Sequence, residues 1–156
     1  MEIKNKQGVL IHSGPVGPTG FADLDLRDAV FEGMVLQGAH FYDANLEGAN
    51  FRGVDLYWGS FFLANLTAAD FEDAQLQGAD LKKTNLTNAN LRNANLGRDN
   101  VGGSTQLQGA NLSGANLDRT KLEGCEYDSE TTFPLGFEPQ KRGMIFKPST
   151  RKTDKP

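Results

Sequence analysis

The sequence predicts an all-β solenoid, in which short repeated units wind into a coil. The main observation is an apolar residue, here called a station, at every fifth position from Phe21 to Val101. Because 38% of the chain is hydrophobic, seventeen successive matches would arise by chance in roughly one case in ten million. A period of five fits neither a helix nor a strand alone, so each unit adds one side to a coil. The stations are Phe21, Leu26, Phe31, Leu36, Phe41, Leu46, Phe51, Leu56, Phe61, Leu66, Phe71, Leu76, Leu81, Leu86, Leu91, Leu96 and Val101.

Three further positions of the unit are specified. A small residue lies two positions before most stations and Asn or Asp lies one position before, as Ala44 and Asn45 do before Leu46. Two positions after the station, Gly or Asn is common, for example at Gly48 and Asn88. These two residue types tolerate the positive φ that the third residue of a type II turn requires. We therefore expect a corner after every station.

This A-(D/N)-(L/F)-x-x signature resembles that of the pentapeptide-repeat family over about residues 20–127, and in particular the plain members that are numerous in cyanobacteria. The resemblance implies a right-handed quadrilateral β-helix of about five coils, with the station and the small residue before it pointing inward. Residues twenty apart then stack. The stacked aromatic stations would be Phe21, Phe41 and Phe61 on one wall and Phe31, Phe51 and Phe71 on the opposite wall.

The ends of the chain depart from the repeat and are expected to cap it, because an open solenoid end exposes its core and a strand edge. We expect an N-terminal cap at residues 1–20, the β-helix at 21–127, a C-terminal cap at 128–147 and a disordered tail at 148–156.

The repeat is interrupted once. Leu107 follows Val101 by six residues, which predicts a one-residue register slip near residues 97–106. Asp99 stands where a small inward residue belongs, and a buried unpaired carboxylate is costly. We therefore expect the slip to swing Asp99 outward.

We expect no catalysis and no cofactor or metal site. The single cysteine, Cys125, occupies a small inward position, which favours core packing over a nucleophile, and one cysteine suits a reducing compartment. His12 and His40 lie on different elements and lack metal-ligand spacing. No apolar run approaches membrane-spanning length and no signal peptide is visible. We therefore expect a cytoplasmic protein that does not enter a membrane.

Apolar residues at positions that the repeat turns outward form the first candidate site. Clustered exposed apolar groups exceed the scattered exposure of ordinary surfaces and suggest contact with an unknown protein partner or a homodimer. The alternative is local packing beneath a terminal segment, such as the N-terminal strand. The candidates are Tyr42, Tyr57, Trp58, Phe62 and Leu63, with Tyr42 expected beside Phe62.

Uneven charge gives a second candidate site. Residues 21–80 carry eleven acidic and two basic side chains, a net charge of −9, whereas residues 81–127 carry a net charge of +2. The acidic candidates are Asp70, Glu72 and Asp73. An acidic rod of this kind resembles the family members that mimic DNA and bind type II topoisomerases. The plainer alternative is a solvated face that keeps the rod soluble.

We therefore expect a non-enzymatic rigid rod that presents a surface for protein–protein interaction. The alternative function is a DNA mimic that binds a type II topoisomerase or another DNA-binding protein. Direct binding of nucleic acid is not expected, because the repeat region itself is net negative.

Overall fold

The chain winds into a four-sided coil. The computed structural model describes residues 1–14 and 20–148; the rest of the predicted N-terminal cap, and the predicted tail apart from Pro148, lie outside the described residues. Parallel bridges join residues 20 apart, so four sides of five residues make one coil. One such column consists of Asp25, Asn45, Asn65 and Asn85. Most of these bridges are isolated, so the expected all-β architecture exists as ladders of single bridges rather than as long strands.

Each side of the coil ends in a tight turn. After Leu46, the N–H of Ala49 donates to the Leu46 carbonyl at 3.0 Å, and the N–H of Gly48 donates to the Thr67 carbonyl of the next coil at 2.9 Å. Gly48 has a φ of 69°, which is the left-handed conformation of the third residue in a type II turn. A positive φ recurs two residues after every station within residues 21–91. The predicted corners are thereby confirmed.

Two ladders of phenylalanine rings fill the N-terminal coils. Rings on the same wall stack with centroids 4.7–4.9 Å apart, and rings on opposite walls meet edge to face at 5.5–6.0 Å. All six rings are at most 2% exposed. The rungs are Phe21, Phe41 and Phe61 on one wall and Phe31, Phe51 and Phe71 on the other. The predicted stacking of residues twenty apart is therefore confirmed.

An antiparallel hairpin covers the N-terminal end of the coil. Its strands are β1 (Glu2–Lys4) and β2 (Leu10–Ser13). Ile3 of β1 is fully buried in the core, and Asn5 forms an antiparallel bridge with Ala29 of the first coil. The hairpin thus pairs with the coil edge at Ala29, which is not the part of the coil that carries the outward aromatic residues.

An irregular segment covers part of the C-terminal end. Strand β3 (Glu126–Tyr127) pairs in parallel with β4 (Ile145–Phe146), and a 3-10 helix at Pro139–Arg142 lies between them in the chain. The rings of Phe133 and Phe137 stack at 5.0 Å and pack against the core. The chain therefore leaves the coil after its bridge at residue 132 and rejoins it at Gly143, whose carbonyl accepts the N–H of Gly124 at 2.8 Å, and at β4.

The interruption near residue 100 is larger than predicted. Beyond it, bridged residues are 26 apart, as in Asp80–Gln106 and Asn95–Lys121, so the coil accommodates six additional residues. Val101 is 75% exposed and is not a core station, whereas Leu107 is fully buried. The predicted one-residue slip is therefore wrong. Residues 99–104 form an insertion loop outside the coil.

This correction is testable by comparing two truncations. Leu107→Ala should lower the free energy of unfolding by about 2–5 kcal/mol, because it leaves a cavity in the core. Val101→Ala should change it by less than about 0.5 kcal/mol, as exposed substitutions do. Urea unfolding followed by circular dichroism measures both. A comparable loss for both variants would contradict an exposed insertion loop.

Candidate protein-binding site

The insertion loop is fastened to the outside of the coil by Tyr57 and Trp58. The indole Nε1–H of Trp58 donates to Oδ2 of Asp99 at 2.7 Å. The hydroxyl of Tyr57 donates to Oδ1 of Asn100 at 2.9 Å and accepts from the backbone N–H of Asn100 at 3.0 Å. These bonds join residues more than 40 positions apart in the sequence. They hold two candidate aromatic residues against the loop.

Asp99 organises the loop around its carboxylate. Oδ2 accepts the Trp58 indole N–H, and Oδ1 accepts the backbone N–H groups of Val101 and Gly103. The hydrogen bond from Trp58, assisted by these backbone donors, holds the pKa of Asp99 below its ordinary value of 3.8, although desolvation acts in the opposite direction. Asp99 lies outside the core, but it is only 7% exposed because the loop and Trp58 enclose it. The predicted outward swing therefore does not bring the carboxylate into solvent.

Trp58 combines backbone strain with solvent exposure. It occupies the third position of a corner with a φ of 57°, a conformation unfavourable for a bulky aromatic residue. Its ring lies over Gly78 of the next coil, where an added Cβ would overlap Cδ1 of the indole. Glycine at this position therefore makes room for the ring. Trp58 nevertheless remains 54% exposed.

A second aromatic pair lies on the neighbouring corner. The rings of Tyr42 and Phe62 stack with centroids 5.7 Å apart and an interplanar angle of 16°. This confirms the expected placement of Tyr42 beside Phe62. Leu63, with a φ of 63°, is a second bulky residue in the left-handed conformation. Tyr42 and Leu63 are 42% and 39% exposed, and Phe62 is half-buried.

The five candidates thus form two pairs and a neighbouring leucine. We call them together the aromatic surface: Tyr42, Tyr57, Trp58, Phe62 and Leu63. The rings of Tyr57 and Trp58 are 5.2 Å apart and support the insertion loop, while the Tyr42–Phe62 pair lies on the next corner along the chain. Part of the aromatic surface therefore packs locally, as the alternative interpretation proposed. The segment that packs against it is the insertion loop and not a terminal strand. A role in protein contact stays a prediction.

The acidic candidates are partnered within the coil. The guanidinium of Arg52 bonds to Glu72 and, at 3.2 Å, to Asp70, and these two carboxylates raise the pKa of Arg52. The side-chain amide of Asn93 donates to Asp73 at 3.1 Å. Asp70, Glu72 and Asp73 therefore do not stand as a row of free negative charges.

Sequence reasoning missed a ladder of alternating charge on this wall. Arg92 lies 3.9 Å from Glu72 and 3.8 Å from Asp118, so it stands between two acidic residues of neighbouring coils. Each exposed pair contributes about 0–1 kcal/mol. Aligning residues twenty apart in the sequence reveals the alternation of acidic and basic residues. The last residue of the column, Asp118, is found only when the six inserted residues are added to the spacing, because it follows Arg92 by 26 positions. The column is Glu32, Arg52, Glu72, Arg92 and Asp118.

Cys125 fills a small inward position. It is fully buried, its thiol donates to the Leu96 carbonyl at 2.8 Å, and burial raises its pKa to about 12. This placement agrees with the predicted role in core packing. Within residues 1–14 and 20–148, no three His, Cys, Asp or Glu side chains come together as metal ligands would. No helix in the same ranges is long and apolar enough to cross a membrane.

Comparison with known proteins identifies the repeat. A sequence profile of pentapeptide repeats matches in 8 copies, over residues 21–58, 60–98 and 104–126. A pentapeptide repeat protein of the Arabidopsis thaliana thylakoid lumen is 33% identical, with 80% of this chain and 79% of that chain covered and a TM-score of 0.50. One from Nostoc PCC 7120 is 30% identical, with 76% and 84% covered and a TM-score of 0.40. Such proteins fold as right-handed quadrilateral β-helices.

A more distant likeness was also found among solved structures. QnrB1, a plasmid-mediated fluoroquinolone resistance protein, is 14% identical over 76% of this chain and 67% of that chain, with a TM-score of 0.45. At this level the likeness carries no functional argument. Among curated protein sequences, none matches the chain.

The packing of Trp58 over Gly78 predicts different effects for two equivalent glycines. Gly38→Ala and Gly78→Ala both place alanine at a positive φ, which costs roughly 1–2 kcal/mol. Gly38 has open space around its Cβ position. Gly78→Ala should therefore cost about 1–3 kcal/mol more, because the methyl group displaces the indole, and only this variant should shift Trp58 fluorescence. Trp58→Ala should remove the difference, as a double-mutant cycle would measure.

The Asp99–Trp58 bond predicts a response to acid. A lowered pKa means that the ionised carboxylate stabilises the fold above its ordinary pKa of 3.8, and that this stabilisation is lost as pH falls through the lowered value. The emission of Trp58, the single tryptophan, should therefore change with a midpoint below pH 3.8. Asp99→Asn should abolish this transition. A midpoint above 3.8 in the wild type would contradict the assignment.

Proposed function

Because the chain belongs to the pentapeptide-repeat family, we propose that it is a non-enzymatic rigid rod that binds another protein through the aromatic surface. The observation that carries the proposal is the conformation of Trp58, which remains half exposed at a positive φ. Glycine, asparagine or aspartate fills this corner position at most other sites of the repeat. A bulky residue there costs stability, so its presence indicates a use for the exposed ring.

Pre-organisation supports the same function. The indole of Trp58 is held by Asp99 and by the ring of Tyr57, so little rotamer freedom remains to be lost on binding. Tyrosine and tryptophan are also the residue types that dominate binding energy at protein interfaces. The surface therefore combines suitable chemistry with low entropic cost.

The absence of catalysis is part of the proposal. The interior of the coil is filled by buried Leu, Phe and Ala side chains, so the exposed side chains lie on its outer walls. We propose a cytoplasmic location, since the single cysteine forms no internal disulfide and suits a reducing compartment.

A site-specific crosslinking experiment tests the proposal. The photoreactive residue p-benzoylphenylalanine would replace Leu63 on the aromatic surface or Asn88 at a corner of another wall, both exposed and both at positive φ. In a cell lysate, the probe at position 63 should capture a discrete protein or a second copy of the chain, and Trp58→Ala should reduce the yield several-fold. Equal capture from positions 63 and 88, or no effect of Trp58→Ala, would contradict the proposal.

The DNA-mimic alternative rests on the net charge of −9 over residues 21–80. Its weakness is the pairing of Asp70 and Glu72 with Arg52. If it applies, neutralising Asp70, Glu72 and Asp73 to their amides should abolish salt-sensitive binding to a DNA-binding enzyme such as a type II topoisomerase. If the partner instead binds the aromatic surface, these changes should leave the affinity for the partner within about twofold of wild type.

A further inference from the structure

The C-terminal end of the coil carries unused hydrogen-bond donors. In earlier coils each station N–H donates to a carbonyl of the next coil; that of Leu96, for example, reaches the Lys121 carbonyl at 2.9 Å. In the described part of the chain, the N–H groups of Leu117 and Leu122 have no such acceptor. The cause is the path of the chain, which leaves the coil after residue 132 and rejoins it only at Gly143 and β4.

The neighbouring acceptor on this edge is already occupied. The Thr120 carbonyl would receive an N–H from a further coil, but the guanidinium of Arg142 donates to it at 2.7 Å instead. Arg142 comes from the 3-10 helix and also lies 5.6 Å from the ring centroid of Phe137. At this edge the Leu122 N–H therefore remains without an acceptor among the described residues, whereas the neighbouring Thr120 carbonyl already accepts a hydrogen bond.

This edge borders a cleft of about 950 Å³ between the last coil and the 3-10 helix, within the range of roughly 300–1,000 Å³ typical of ligand sites. We call it the donor cleft. Its charged lining is predominantly basic, and Lys141 is paired with Glu138 at 2.8 Å. The lining includes Arg98, Lys121, Glu123, Lys141 and Arg142.

Arg98 is positioned by packing rather than by an acidic partner. Its side chain lies over Gly124, where an added Cβ would overlap it. Within residues 1–14 and 20–148, neither Arg98 nor Lys121 forms an ion pair. In the described part of the structure, Arg98 and Lys121 therefore line the cleft together with Leu122 and without an ion-pair partner, and Glu123 is the one acidic residue in the lining.

We propose that the donor cleft binds the carboxylates of an acidic, extended segment of a protein partner. Carboxylate oxygens match the planar donor fork of Arg98 and the ammonium of Lys121. A backbone carbonyl of an extended segment matches the free N–H group of Leu122, which lines the cleft, as in recognition by strand addition. Arg98 and Trp58 belong to the same corner column, but the cleft binds its ligand independently of the aromatic surface.

The test uses a fluorescein-labelled peptide of ten glutamates and the full chain at low ionic strength. Lys121→Glu should weaken binding about tenfold, the effect expected from losing and reversing a contacting charge. Lys83→Glu is the matched control, since Lys83 is an exposed lysine that does not line the cleft, and it should change affinity by less than about twofold. Both side chains are exposed, so both variants should fold, which their melting temperatures verify.

Nuclear magnetic resonance of the ¹⁵N-labelled chain supplies the second readout. Titration with the glutamate peptide should move the amide resonance of Leu122 and slow its hydrogen exchange. Equal weakening by Lys121→Glu and Lys83→Glu would reveal non-specific attraction and overturn the proposal. The proposal would also be overturned if the peptide left the Leu122 amide resonance unmoved. It would fail as well if inorganic phosphate produced the same change in this resonance and displaced the peptide. Because Trp58→Ala leaves the cleft intact, failure at the aromatic surface would not affect these results.

Discussion

The corner turn is the constraint on which the rest of the structure depends. Every fifth residue must point inward, and the chain must then turn the corner onto the next side, which places one residue per side at a positive φ. The turn aligns N–H and carbonyl groups along the coil axis, so each coil hydrogen-bonds to the next. Because the interior holds only stations and small residues, the outer positions are free to vary. The fold therefore separates the residues that specify it from the residues that other molecules meet.

Stacking converts sequence spacing into columns on the surface, and each notable surface feature is such a column. Glu72 and Arg92 belong to the alternating-charge ladder, whereas Trp58, Gly78 and Arg98 share one corner. In the corner column, large side chains fold over the glycine of the next coil. The insertion loop adds a contact that stacking alone does not provide, because it returns Asp99 to Trp58 two coils away. Order on the surface thus comes from both the repeat and its interruption.

Much of the fold could be predicted from the sequence, because the period of five and the twenty-residue stack are local consequences of turn geometry. The Phe ladders and the Tyr42–Phe62 pair follow from counting alone. Counting failed at Val101, which lies a multiple of five residues after Phe21 although the chain there is outside the coil. The length of an inserted loop depends on where the coil closes again, and this is set by long-range bridges. For the same reason, the Asp99–Trp58 bond and the free N–H of Leu122 could not be predicted from spacing.

The rod holds Trp58 in one orientation at an exposed position. The most direct measurement is ¹⁵N relaxation of the indole Nε1–H, the one indole in the chain. If Asp99 and the ring of Tyr57 hold the side chain, its order parameter should match the coil backbone, near about 0.85. An order parameter below about 0.6 would show that the ring moves freely. Trp58 would then be an exposed side chain on a rigid coil and not a pre-organised binding residue.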